Sequence, residues 1–381
     1  MKVTTLVSLM IVAVAALPSK LVNEVKVVGF IIVDNQNDQK PKQEDKTIAQ
    51  VIADDDRFSS LHEHLDDARD VKDDLDDDKL RMTLFAPINE AFDQFNQSHH
   101  KGYKMKDILQ YHLTTDGVLG IGDLHDGLVL STEFEEKNLK DERQIVRVTR
   151  REDGEVYINM MAHVVAEIAT KNGKVIAIDR VLVPPPNMLE SMMRVPMVFS
   201  TLATAIFRTK LERIFESHKG MTLLAPDNRA WEEKMDVQDL FYLFGEEGRK
   251  DLGKIVKHHV VKSLEYSTRF REEGHVTLKT LNRDEIVIDA RQTQASHRHQ
   301  RKQHQMDKIC GFPFPCDVIA NVDVNDDDAN VDNPEGWEYL LNNDQGRIVF
   351  ADAPTQNGVV HMISNVLIPE GVDLPSKRSE L

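Results

Sequence analysis

The sequence predicts an α+β protein made of two tandem copies of one unit, and three observations carry that prediction. MTLFAPINEAF at 82–92 returns as MTLLAPDNRAW at 221–231. Two further segments recur in the same order: ILQYHL (108–113) with IVKHHV (255–260), and NGKVIAIDRVLVP (172–184) with NGVVHMISNVLIP (357–369). Within each copy a short apolar run comes first, helical periodicity follows, and a group of β-rich runs closes the unit, an order that reads as α+β and not as alternating βαβ. A length of 381 residues suits about two to three cores.

Taken along the chain, MTLF and MTLL are β-prone, apolar runs suited to a buried strand. Pro87 and Pro226 end them, because proline has no N–H to give to a ladder. Asn89 in the first copy, and Asp227 or Asn228 in the second, are expected to cap the helix that follows by accepting its orphan N–H groups. Phe92 and Trp231 then face inward. Ile108, Leu109 and Leu113 recur at helical spacing and place His112, and with it His259, within apolar helical patterns. Asn-Gly at 172–173 separates two β-rich runs and predicts a hairpin whose central residues take positive φ; Pro184 and Pro369 are expected to stop the last strand. The histidines lie 147 apart and the closing segments 185 apart, so the second copy carries an insertion, approximately Arg291–Arg347.

The first residues have the parts of a secretory signal: Lys2, an apolar run from Leu6 to Ala16, and small residues at a cleavage site. A cleaved segment 1–16 followed by an extension 17–45 is therefore expected. No later stretch reaches the length of a transmembrane anchor, and a polar tail covers 372–381. Its last residues, Glu380 and Leu381, partly match a reticulum retrieval signal, from which Arg378 and Ser379 depart. Cys310 and Cys316 bracket GFPFP, and in an oxidising lumen they are expected to form a local disulfide staple. Asn96 opens the sequon Asn-Gln-Ser for glycosylation in the same compartment. With 47 basic against 64 acidic residues the net charge is −17, which argues against a nucleic-acid partner. Part of the acid is crowded between Asp54 and Asp78, where a solvated helix face is expected and a cation-binding surface is the sharper alternative.

The three recurring segments resemble the signatures of the fasciclin-like domain, over residues 46–186 and 195–371, with 187–194 as a linker of short helical centre between prolines. The resemblance implies a β-sandwich-like wedge packed with several helices in each domain. It also implies a non-enzymatic protein of adhesion, matrix or cell-wall association that binds protein or glycan partners, in the manner of soluble fungal members of the secretory pathway, the vacuole or the cell exterior. A lumenal scaffold or quality-control factor of the vacuole or reticulum is the alternative. KDIL at Lys106–Leu109 is similar to an integrin-binding stretch of animal members. Two departures stand out: His258 replaces Tyr111 in the second copy, and His361 aligns with Ile176 of the first.

Candidate chemistry is sparse. Pro87, Asn89, His112, Pro226, Asn228, His259 and His361 are expected to be structural, with His112 and His259 held by nearby backbone or by Asn89 and Asn228. No nucleophile elbow, His-Glu-x-x-His helix or phosphate loop occurs, so no catalytic residue and no cofactor are predicted. A metal-dependent hydrolase remains the distant rival, through His297, His299 and His304, which interleave with Arg and Lys in the insertion. Asp323, Asn325 and Asp327 alternate as in a calcium loop, but Asp328 stands where glycine is needed and Pro334 where glutamate is needed.

Overall fold

The computed structural model describes residues 45–95, 102–151, 153–292 and 337–378. The expected signal segment, Asn96, the histidines 297, 299 and 304, both cysteines, the calcium-like loop and residues 379–381 lie outside the described residues. In the first copy the strands are β1 Met82–Pro87, β2 Leu113–Thr114, β3 Val129–Glu136, β4 Glu142–Arg150, β5 Val156–Ile158, β6 Ala162–Thr170 and β7 Gly173–Ile178. They form one seven-stranded sheet in the order β2-β1-β7-β6-β5-β4-β3. The second copy has β8 Met221–Pro226, β9 Val260–Val261, β10 His275–Lys279, β11 Glu285–Gln292, β12 Trp337–Leu341, β13 Gly346–Thr355 and β14 Gly358–Ile363. Its order, β9-β8-β14-β13-β12-β11-β10, is the same topology.

β1 and β8 lie one strand in from the edge of their sheets and run parallel to β7 and β14, with every residue buried. A strand buried on both faces reads as a nearly continuous apolar run, which is why MTLF and MTLL show no regular polar alternation, and Thr83 and Thr222 are their buried polar residues. Their side chains divide with the period of two. Met82, Leu84 and Ala86 pack under the helices with Ile48, Ile52, Leu61 and Leu65, while Phe85 faces Val146, Val148, Ile158 and Ile176. Met221, Leu223 and Ala225 likewise meet the helical core of the second copy, and Leu224 joins Ile286, Ile288 and Tyr339. Each sheet curves on itself to enclose one apolar interior and covers its other face with helices, which is the expected wedge.

Several local expectations change. The last strands end at Ile178 and Ile363, well before Pro184 and Pro369, where the chain bends out of the ladder. The predicted hairpin exists, with Thr170 opposite Gly173, but neither Asn172 nor Gly173 has positive φ. Glycine is needed there for a close approach instead: a Cβ on Gly173 would lie 1.9 Å from the Met82 carbonyl oxygen, and one on Gly358 2.0 Å from that of Met221. The linker is shorter than its prolines suggested. The helix Met188–Met193, capped by Asn187, buries Met188, Leu189 and Met192 in the second core and so opens that domain. Arg291, Gln292 and Trp337–Leu341 of the expected insertion are strand residues. The extra chain occupies 293–336, between β11 and β12, where the first copy needs only 151–155 between β4 and β5.

The domains meet where β4 faces β13. Gln144 Nε2 donates to the Thr355 carbonyl at 3.0 Å. Arg147 Nε donates to the Ala351 carbonyl at 2.9 Å, while its guanidinium lies 4.1 Å over the Phe350 ring. Two nearly buried polar side chains of one domain are thus satisfied by the backbone of the other, which makes this seam a fixed contact and not a free hinge.

Candidate functional site

The polar residues of the repeated segments turn almost wholly inward, onto backbone. His112 and His259 are 1% and 0% exposed at the ends of their helices. Nδ1 of His112 donates to the Ile108 carbonyl at 2.7 Å, and Nε2 accepts from Leu182 N–H at 2.8 Å. His259 repeats this with Ile255 at 2.8 Å and Leu367 N–H at 3.0 Å. Each ring ties its helix to the segment that leaves the last strand, and its partners are backbone groups, not Asn89 or Asn228 as expected. Burial pulls His112 down to about 4 and His259 to about 3, so both are neutral imidazoles near pH 7.

Asn89 does not cap its own helix; Ile88 occupies that cap position and supplies no side-chain bond. Its Oδ1 accepts from Ser60 N–H at 3.0 Å and its Nδ2 donates to the Asp56 carbonyl at 2.8 Å, so it pins the entry of a helix 30 residues earlier in the chain. Asn228 does the same to Thr201 N–H at 2.9 Å and the Met197 carbonyl at 3.0 Å. The local cap in the second copy is Asp227, which accepts from Ala230 N–H at 2.7 Å, while burial raises its carboxyl above the ordinary value. Pro87 and Pro226 are the final residues of β1 and β8.

Two further pairs were not legible as site residues. Asn172, assigned to a turn, is fully buried; it accepts from Ile48 N–H at 2.9 Å and donates to the carbonyls of Leu75 and Asp77 at 2.9 and 3.0 Å. Asn357 binds Met188 N–H at 2.8 Å and the carbonyls of Phe215 and His218 at 3.0 and 3.1 Å. Thr83 bridges the Gly117 carbonyl and Leu119 N–H, and Thr222 bridges Ser263 and Glu265, all at 2.8 Å. The signal for these residues was the repetition itself, since each holds the same place in its copy.

His361 is fully buried in the second copy only. Its Nε2 donates to the Glu265 carbonyl at 2.9 Å and its Nδ1 accepts from Asp352 N–H at 3.2 Å. Ser267 and Asp352 lie beside it, yet the serine hydroxyl bonds to the Asp352 carboxylate, and both histidine nitrogens are engaged by backbone. No imidazole nitrogen is left to take the serine proton, so these three do not form a Ser-His-Asp triad. Among the described residues no group of three or more His, Cys, Asp or Glu is arranged to hold a metal ion. In KDIL, Ile108 and Leu109 are buried in the core and Lys106 pairs with Asp70, so the stretch is not displayed as a linear motif. Among the described residues the most exposed large apolar side chains are Phe241, Met197 and Val237, all in the second domain. No described helix is long and apolar enough to cross a membrane.

Comparison with known proteins places this architecture. The Fasciclin domain matches residues 56–184 and 197–310. Transforming growth factor-beta-induced protein ig-h3 of Sus scrofa is 27% identical over 48% of this chain, a stretch that makes up 26% of that protein's own length. Aurofusarin biosynthesis cluster protein S of Gibberella zeae is 25% identical over 88% of this chain and 80% of its own. A fasciclin-like arabinogalactan protein of Arthroderma benhamiae is 24% identical over 85% and 67%. A solved FAS1 domain pair from the insect cell adhesion molecule Fasciclin I covers 82% of this chain and 97% of its own, at 20% identity and a TM-score of 0.39. With both copies matched, in the order the repeat predicts, the chain belongs to the fasciclin domain family and carries two such domains in tandem.

Proposed function

We propose that the chain is a non-enzymatic adhesion and interaction protein of the secretory pathway, acting in the cell exterior or a vacuolar lumen, that binds protein or glycan partners through its domain surfaces. The single observation that carries this reading is the use made of the motif residues. His112, His259, Asn89, Asn228 and His361 each spend their polar atoms on backbone groups, which leaves none of them free to touch a substrate. Fasciclin domains serve as a rule in adhesion and interaction and not in catalysis, which agrees with that use. Entry into the pathway would rest on the leader at 1–16, a glycan on Asn96 and a disulfide between Cys310 and Cys316.

The test is adhesion measured against fold. Beads coated with the folded chain should hold to the matrix or cell wall of the source organism, and soluble folded chain should compete them off. Equal retention of beads coated with heat-unfolded chain would overturn the proposal. A tagged chain, followed with and without residues 378–381, would report the compartment separately.

A further inference from the structure

One stretch of β13 departs from the duplication that governs the rest of the fold. Thr170 pairs with Gly173 and Thr355 with Gly358, so counting back along β6 and β13 makes Glu167 the counterpart of Asp352, as Ile176 is of His361. Both carboxylates take the same backbone amide. Glu167 accepts from Ile121 N–H at 2.7 Å and Asp352 from Ser267 N–H at 2.9 Å. Those amides are equivalent, since each follows by two residues the amide bound by Thr83 or Thr222.

The two strands reach that amide differently. Glu167 does so from a regular ladder opposite Ile176, with its carboxylate beside Lys174 at 2.6 Å. Aspartate is one methylene shorter, and Val359 stands where the first copy has Lys174. In β13 the backbone makes up the difference: the register shifts between Phe350 and Ala353, and Asp352 takes φ +63° and is 1% exposed. Such a bulge re-aims a side chain and puts its residue in the unfavourable left-handed region. It also withdraws Asp352 N–H from the ladder. His361 supplies the missing acceptor through Nδ1 at 3.2 Å, while its Nε2–H is fixed on the Glu265 carbonyl at 2.9 Å. Ile176 has no acceptor to offer, and the β6 register runs without a shift from Ala166 to Thr170.

The bulge carries the residues that touch the other domain. Arg147 of the first domain donates to the Ala351 carbonyl at 2.9 Å and lies 4.1 Å over the Phe350 ring. We infer that Ser267, Asp352 and His361 form a latch that sets the seam between the domains: they hold β13 in its bulged register, and that register presents Ala351 and Phe350 to Arg147. Bulged and straight ladders are discrete registers of one strand, so docking of the first domain and closure of the bulge stabilise each other. His361 is then a positioning residue for the contact between domains, and not only a filler of the second interior. The latch stands whether or not the chain serves in adhesion.

The test is read in the full chain at Gly220, which belongs to neither β13 nor β14 and whose N–H donates across the seam to the Asn138 carbonyl at 3.0 Å. Native-state hydrogen exchange of this amide should speed up about tenfold in His361→Ile and by more in Arg147→Met. The double variant His361→Ile/Arg147→Met should exchange no faster than Arg147→Met alone, whereas independent roles would multiply the two factors. Asp352→Glu/His361→Ile rebuilds the pair that the first domain uses. It should keep the second domain folded, as judged by a cooperative thermal melt, and still release Gly220 about tenfold. Residual dipolar couplings should then need a separate alignment for each domain, where the unaltered chain needs one. Unchanged protection of Gly220 in that variant overturns the proposal, as do multiplied factors in the Arg147 cycle. Failure of Asp352→Glu/His361→Ile to fold overturns it as well, since the first domain folds around the same pair. Where His361→Ile alone unfolds the second domain, Asp352→Glu/His361→Ile decides.

Discussion

The two domains solve the same backbone problem with the same residues and fill the remaining space with different ones. Asn172 and Asn357, Thr83 and Thr222, His112 and His259, and Asn89 and Asn228 each satisfy equivalent main-chain groups. Beside these fixed points the copies diverge. Tyr111 donates to the Ile145 carbonyl at 2.9 Å, while its counterpart His258 lies against Asp284. Ile176 belongs to an apolar cluster, whereas His361 in its place bonds to two backbone groups. The comparison teaches that this fold tolerates change in what fills the interior, but not in what closes helix ends and loops, where an orphaned buried amide has no water to turn to.

The strongest way to break the comparison is to remove the buried asparagines. Asn172→Ala and Asn357→Ala each leave three backbone groups without a partner and should cost about 3–5 kcal/mol in urea unfolding of their own domain. Losses that differ by more than about 1–2 kcal/mol would show that the two copies do not use this residue equally.

Exchanging the divergent position comes next. His361→Ile abandons the Glu265 carbonyl and Asp352 N–H and should lower stability by about 2–3 kcal/mol, and Ile176→His buries an imidazole among Val146, Val148 and Ile158 with a similar loss. If the first-domain histidine is neutral in effect, its cluster already holds a partner for it and the two interiors are less different than they look.

Acid sharpens the likeness. His112 and His259 have folded pKa values below the ordinary 6.5, so the unfolded chain binds more protons between that value and the folded ones. Stability is therefore full above about pH 6.5 and falls as pH drops toward 4, by up to about 3 kcal/mol for each domain. His112→Gln should flatten this slope in the first domain alone, and His259→Gln in the second alone, as followed by thermal melts from pH 7 to 4.5. An unaltered slope in either variant would assign that acid sensitivity to other groups.

The smallest effect concerns the seam. Gln144→Ala removes one bond to Thr355 and should cost about 1 kcal/mol, read as faster proteolysis near 183–187 with both domains still folded. No change in cleavage would leave Arg147 as the chief tie between the domains.

Much of the architecture was legible beforehand, and for a physical reason. Strand character in MTLF and MTLL, the helices before His112 and His259 and the hairpin at 172 follow from side-chain periodicity and turn residues, which are local properties. The errors fell where local chemistry has two uses. Asn89 looks like a cap and is one, but for the helix entering at Ser60; Asn-Gly looks like a positive-φ turn, yet Gly173 is required by the Met82 carbonyl and Asn172 by two loops. A side-chain amide does not declare in sequence which backbone group it will meet. The short helix expected between the prolines of 184–196 is present, but its apolar face belongs to the second core and not to a linker, which local sequence does not declare.

By itself the sequence determined that the unit is duplicated, that each copy is α+β and where its buried strands lie, because repetition, propensity and hydrophobic period are written along the chain. Only the tertiary structure decided the partners of the buried histidines and asparagines and the seam made by Gln144 and Arg147. Those are contacts between residues distant in sequence, and they exist only once packing has brought the segments together.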